Sequence, residues 1–356
     1  MSRKNILSIF FFLALMLLTF YTIFHGNNMY YVWQEVKKLD PVYLFFACLT
    51  GIFFVSAEGM MIWYLLRALQ CRISVFACIR YSFIGFFYSG ITPSATGGQP
   101  MQLYYMKKAG LRISDSTVVL MTVALIYKLV LVLLGIGILI FWYPSLCLYL
   151  KEYLYLYFLG LFLNTALVAV LLFIMISPGC FEKIVTAGEM LLQKLHILKP
   201  SETRREKLFE MADSYHKAVV FFLQHKRHIA VVTLFTFVQR FSVFFLTWLI
   251  YKGMHLSGHS MMAVMMIQAT VYIAVDMLPL PGGQGITELM YKTVYAVIFP
   301  GACLTASMCV TRSINFYFLL VVSALIAACA ALPGRRAAVE KRSQDRLRKR
   351  RDCIGV

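Results

Sequence analysis

Two stretches, Ile6–Phe24 and Leu154–Ile176, run for roughly the depth of a bilayer without one charged side chain. That fixes the solvent in which much of this chain must fold. A spanning helix needs about 20 apolar residues at a rise of about 1.5 Å each. Within hydrocarbon every backbone N–H and C=O must find a partner inside the protein, which leaves helices or closed barrels. The apolar runs here are continuous and do not alternate, so helices are expected and a β-barrel is not. Four further runs reach the required length: Val42–Leu66, Ser116–Phe141, His228–Tyr251 and Cys303–Leu332. With 60% apolar and only 14% charged residues, a disordered chain, a collagen-like chain and an ordinary cytosolic enzyme are excluded. Ser2-Arg3-Lys4 ahead of the first run looks like a signal-peptide n-region, but the run is long and no small-x-small site follows, so a retained first span is expected.

Two other apolar regions break in the middle. Val75–Tyr105 is interrupted by Gly90-Ile91-Thr92-Pro93-Ser94-Ala95-Thr96-Gly97-Gly98-Gln99-Pro100, and Met261–Phe299 by Pro279-Leu280-Pro281-Gly282-Gly283-Gln284-Gly285. Pro and Gly at this density end helices. Each region leaves two arms too short to span, so a pair of re-entrant hairpins is expected, with the broken backbone buried or facing a cavity. Both tips carry Pro and then Gly-Gly-Gln. The chain then reads as span, span, hairpin, span, twice over and in opposite senses, an inverted repeat of the kind found in secondary transporters. The fold class expected is thus an all-α polytopic membrane protein with six spanning helices and two re-entrant helical hairpins.

The net charge of +18 supports this topology. Nine Lys/Arg fall in the Pro178–Arg227 insert and nine more between Arg335 and Arg351. With the N-terminus inside, both segments land on the cytoplasmic side, as the positive-inside rule requires. The transmembrane domain is expected over 1–334, in halves 1–142 and 154–332, with an amphipathic cytoplasmic insert at 178–227 and a basic tail at 335–356. In the insert Leu208, Met211, Tyr215, Val219 and Phe222 share one helical face, suited to lying on the inner leaflet. Basic segments also attract anionic lipid; nucleic-acid binding by the tail is an unspecific alternative. The nine cysteines show no metal or disulfide pattern. His255 and His259 lack a third ligand nearby, so no metal and no cofactor are expected.

Ionisable residues inside apolar runs cost about 2.5–3.5 kcal/mol each on insertion scales, so they are paired or face a polar cavity. They are Glu58, Arg80, Lys128, Arg240, Asp276, Glu288, Lys292 and Arg312. Glu288 and Lys292, four apart, suit a simple structural pair. At the tips, free N–H groups and a positive helix end would suit a phosphate. Thr92, Ser94, Thr96, Gln99, Gln102 and Gln284 add neutral donors. The plainer reading is that Pro and Gly only kink packed helices. A nucleotide-binding P-loop is excluded, since neither tip is followed by GK[ST].

At these motifs the chain resembles a known family. Gly90 to Pro100 followed by Leu103-Tyr104-Tyr105 resembles the first signature of the lysylphosphatidylglycerol synthase transmembrane-region family. Leu280-Pro281-Gly282-Gly283-Gln284-Gly285-Ile286-Thr287-Glu288 resembles the second, and Arg312 the arginine of the following span. The resemblance implies flippase-like handling of a phospholipid in the bacterial cytoplasmic membrane, both termini inside. In multiple peptide resistance factors this region flips lysylphosphatidylglycerol made by a separate soluble domain. Here the chain stops 24 residues after its last apolar run, so that domain is expected to be absent. Where many relatives carry Arg after the first Gly-Gly, this chain has Gln99-Pro100-Met101-Gln102. The expected function is translocation of an anionic or aminoacylated, lysylphosphatidylglycerol-like phospholipid. The expected substrate site comprises Thr92, Pro93, Gly97, Gly98, Gln99, Gln102, Pro281, Gly282, Gly283, Gln284, Glu288 and Arg312, with Asp276 or Glu288 coupling protons. Expected partners are membrane phospholipid and a separate lipid-modifying synthase. The alternatives are a phosphatidylglycerol lysyltransferase, which would also engage charged tRNA, and a scaffold for cell-envelope lipid enzymes.

Overall fold

The computed structural model describes residues 29–92, 96–177, 202–277 and 286–331, with a few positions between 183 and 190. The expected first span, Ile6–Phe24, the tip residues Pro93 and Pro281–Gln284, and the basic tail lie outside the described residues. Every regular element among the described residues is helical. The helices are α1 (Met29–Lys37), α2 (Pro41–Ala68), α3 (Val75–Ile91), α4 (Gly98–Lys108), α5 (Ile113–Phe141), α6 (Tyr143–Leu150) and α7 (Leu154–Ile176). They continue as α8 (Glu202–Gln224), α9 (Lys226–Gly253), α10 (Met261–Val275), α11 (Ile286–Val294), α12 (Ala302–Arg312) and α13 (Leu319–Ala331). Ser313–Phe318 joins α12 to α13 as a π-helical stretch. Five segments are long and apolar enough to cross a membrane: Pro41–Ala68, Ile113–Phe141, Tyr143–Ile176, Lys226–Gly253 and Ala302–Ala331.

Local sequence explains the starts. Asp40 caps α2 through a bond from the Val42 N–H (2.8 Å), with Pro41 at the first helical position. Ser74 caps α3 and Ser260 caps α10, each accepting the N–H three residues on. Both short apolar helices, α3 and α10, therefore open on a capping serine, and each runs into a Gly/Pro-rich break.

α2 and α9 pack along each other at the centre. α3 lies against α2, α4 and α13, while α10 lies against α9, α7 and α5. Two approaches are too close for any side chain. A Cβ at Gly59 would sit 2.4 Å from the Ile79 Cα, and one at Gly160 would sit 2.2 Å from the Ile273 carbonyl oxygen. Glycine therefore sets how tightly α2 meets α3 and α7 meets α10. At the periphery, α1 docks on α12, where Lys38 Nζ donates to Glu35 (2.7 Å) and Cys303 Sγ lies 3.4 Å from its other oxygen. The Lys38 hydrogen bond holds the Glu35 carboxyl below its ordinary range.

The insert helix differs from the expectation. α8 packs on α5, with Tyr215, Ala218, Val219 and Phe222 buried in a core shared with α2, α5 and α9. At Tyr215, Val219 and Phe222 the apolar stripe is covered by protein, while the side chains of Leu208 and Met211 lie outside the described residues; helical periodicity marks a face to be buried without saying by what. Tyr143–Tyr153, ahead of the Leu154–Ile176 helix, forms α6 and a short 3-10 turn.

Candidate functional site

The helix crossings line a partly open cavity of about 780 Å³. Both halves line it: Phe54 and Glu58 from α2, Ser89 and Gly90 from α3, Gly98, Gln99 and Gln102 from α4, and Tyr127 and Lys128 from α5. The second half supplies Gln239 and Arg240 from α9, Gln268, Tyr272 and Asp276 along α10 and its end, Thr287 and Tyr291 from α11, and Thr311 and Arg312 from α12. Asn315 and Phe316 reach it from the π-helical stretch. A π turn inserts an extra residue per turn, which shifts the facing set at this point.

A connected polar network crosses one wall. Lys128 of α5 forms an ion pair with Asp276 at the end of α10, with side-chain exposures of 15% and 8%. Tyr127 donates to the other Asp276 oxygen (2.7 Å) and its hydroxyl meets that of Tyr272 at 2.8 Å. Arg240 Nη1 donates to Tyr272 (3.2 Å) and Nη2 to Gln239 (3.1 Å), while the guanidinium stacks 4.0 Å from the Tyr127 ring centre and 4.7 Å from that of Phe54. Arg240 is buried, and this cradle of rings and acceptors offsets its desolvation. Gln268 accepts from Tyr295 and from Thr247 (3.1 Å), so its carbonyl is occupied and its NH2 group remains a donor. Arg312 stacks on the Phe316 ring at 5.0 Å.

Across the cavity, Gln102 Nε2 donates to Glu58 Oε1 (2.7 Å). A Cβ at Gly85 would fall 2.3 Å from that same Nε2, so Gly85 is what gives the amide room. Gly85→Ala is accordingly expected to dislodge Gln102 and lower the thermal midpoint by a few degrees, the result of about 1–2 kcal/mol of overpacking; an unchanged midpoint in a thermal scan would count against the contact.

Of the site residues expected from sequence, Gly98, Gln99, Gln102, Asp276 and Arg312 line the cavity. Thr92 and Gly97 instead close the break itself: the Thr92 hydroxyl donates to the Tyr88 carbonyl (2.6 Å) and accepts the Gly97 N–H (2.9 Å). Gly98 also packs where α4 meets α3, since its Cβ would lie 2.0 Å from Ser89 Oγ. α11 places Glu288 one residue after Thr287, but the Glu288 side chain and any pairing with Arg312 lie outside the described residues. Arg80 is half-buried and stands away from the cavity lining. Sequence reasoning did not single out Tyr127, Tyr272, Gln239 or Gln268. A signal was present: Gln268, Tyr272 and Asp276 recur at intervals of four, one polar stripe on an apolar helix.

These features define a class, a polytopic helical membrane protein with an ionisable cavity inside its bundle. The family described as the lysylphosphatidylglycerol synthase TM region matches residues 5–323, nearly the whole chain, and the chain belongs to that family. Comparison with the curated proteins gives no match. Membership points to a role connected with membrane lipid.

Proposed function

We propose that the protein moves an anionic or aminoacylated phospholipid, of the lysylphosphatidylglycerol type, between the leaflets of a bacterial cytoplasmic membrane. The observation that carries this reading is the cavity of about 780 Å³, lined from both halves and holding Lys128, Arg240 and Arg312 against Glu58 and Asp276. Its size suits a polar head group. Its charge suits a phosphate, which arginine binds through a fork of N–H donors. The acyl chains stay in the bilayer while the head group crosses.

In this reading the fold is six spans and two re-entrant hairpins arranged as an inverted repeat, with α3–α4 and the region of α10–α11 as the hairpins. The contact pattern supports it, because α3 leans on the last span and α10 on α5, each hairpin on a span of the other half. Rocking of one half on the other alternates access. The Lys128–Asp276 pair joins α5 to the second hairpin and must rearrange in such a motion. Asp276, or Glu288 beyond the break, is the group through which a proton gradient would drive transport. The donors at the tips, Gln99 and Gln284 with the Gly98 and Gly282-Gly283 backbone, hold the phosphate. A separate synthase chain supplies an aminoacylated substrate.

Purified protein reconstituted in vesicles should equilibrate an amine-bearing phospholipid between leaflets, read with an impermeant amine-reactive reagent. Labelling that stops at the outer-leaflet half, as in empty vesicles, would refute translocation. Lysyl transfer from charged tRNA to phosphatidylglycerol by the same preparation would favour the lysyltransferase instead. Single cysteines in the 178–227 insert and in the tail, on a cysteine-free background, should be shielded from impermeant maleimide in intact cells. A tail labelled from outside would break the inverted repeat.

A further inference from the structure

Glu58 is the one lining carboxylate that makes no ion pair among the described residues. It stands midway along α2, within a span, where an uncompensated carboxylate is costly. Its hydrogen-bond partner is neutral: Gln102, itself 3% exposed, donates one N–H and leaves the negative charge intact. No lining cation stands within ion-pair distance of Glu58 among the described residues: Lys128 holds Asp276, and Arg240, whose charge reaches Glu58 through space, is held by Tyr127, Phe54, Tyr272 and Gln239. Two close-packed glycines build the position. Gly59 brings the adjacent turn of α2 onto the backbone of α3, and Gly85 admits the Gln102 amide.

We propose that Glu58, oriented by Gln102, is a subsite for a protonated amine, which makes it the residue that distinguishes amine-bearing lipid head groups from amine-free ones. The proposal rests on the cavity being the head-group site. An ammonium brings three donors and a compact charge, which complements a carboxylate with one oxygen already fixed by a neutral amide. Arg240, whose charge also acts on Glu58, lines the same cavity, so a head group that carries both an ammonium and a phosphate meets a carboxylate and a guanidinium in one space.

The probes are dihexanoylphosphatidylethanolamine and its N-acetylated form, which keeps the phosphate and loses the positive charge. Binding to the detergent-solubilised full chain is measured by calorimetry. The wild type should bind the amine form about tenfold more tightly, the size of one charge-assisted contact. Glu58→Gln should bring that ratio close to one, and Gln102→Ala should lower it part of the way. Equal binding of the two probes by the wild type, a measurement that needs no variant, would overturn the assignment. So would a Glu58→Gln protein that keeps the full ratio. Because binding is read without transport, a protein that shows the ratio but moves no lipid would refute translocation and leave the subsite standing.

Discussion

Asp276→Asn should lower stability by about 3–5 kcal/mol, the cost of stranding one partner of a buried ion pair. The side chains of Lys128 and Asp276 are only 15% and 8% exposed, so solvent does little to screen the orphaned ammonium. Tyr127, which donates to the same carboxylate, keeps a partner in the asparagine oxygen and cannot supply the missing charge. Lys128→Met should cost a similar amount for the converse reason. The double variant Lys128→Met/Asp276→Leu should recover most of the loss, since it removes both charges at once. It should nonetheless transport no lipid. Thermal unfolding in detergent of the two singles and the double reads the cycle. Two neutral, additive single variants would mean that the pair does not hold α5 to the end of α10.

Gly59→Val should be among the most damaging single changes outside the charged network. Its Cβ would come within 2.4 Å of the Ile79 Cα and 2.6 Å of its nitrogen, and backbone cannot rotate away as a side chain can. α2 and α3 must then separate. Overpacking costs about 1–3 kcal/mol where neighbours can adjust, and here the cost should reach or exceed the top of that range. The displacement also carries Glu58 away from Gln102, so discrimination between amine-bearing and amine-free lipid should fall with stability. Gly137→Ala is the control, since nothing lies within 4 Å of a Cβ there. Equal thermal midpoints for the two variants would contradict the helix crossing described above.

Five of the six expected spans were readable in the described residues, because hydropathy and a fixed rise per residue leave little freedom in hydrocarbon. Val42–Leu66 became Pro41–Ala68 and His228–Tyr251 became Lys226–Gly253, each extended by one or two residues at either end. The ends of α3 and α10 were visible from the Gly/Pro breaks, while the caps at their starts, Ser74 and Ser260, were not singled out. Partners were harder. The periodicity of Tyr215, Val219 and Phe222 announced a buried face, yet protein and lipid both satisfy such a face. Gly98 marked a close approach, and the neighbours turn out to include Ser89 and Gly85 of the opposing arm. A missing Cβ says that something comes near without saying what. The Lys128–Asp276 pair joins residues 148 positions apart and depends on the relative register of two helices, which no local pattern encodes. The π-helical stretch after Arg312 leaves no compositional trace either.

Filling the cavity tests the account most directly. Ala124 of α5 lines the space, and Ala124→Trp would place an indole where the head group is held to pass. Gly137→Leu, on the same helix but facing open space, serves as the matched control. In reconstituted vesicles the leaflet-labelling assay should show the control moving lipid as the wild type does. The Ala124→Trp protein, with its thermal midpoint retained, should behave like empty vesicles. If the filled protein moves lipid at the wild-type rate, the cavity is not the path and the account is wrong.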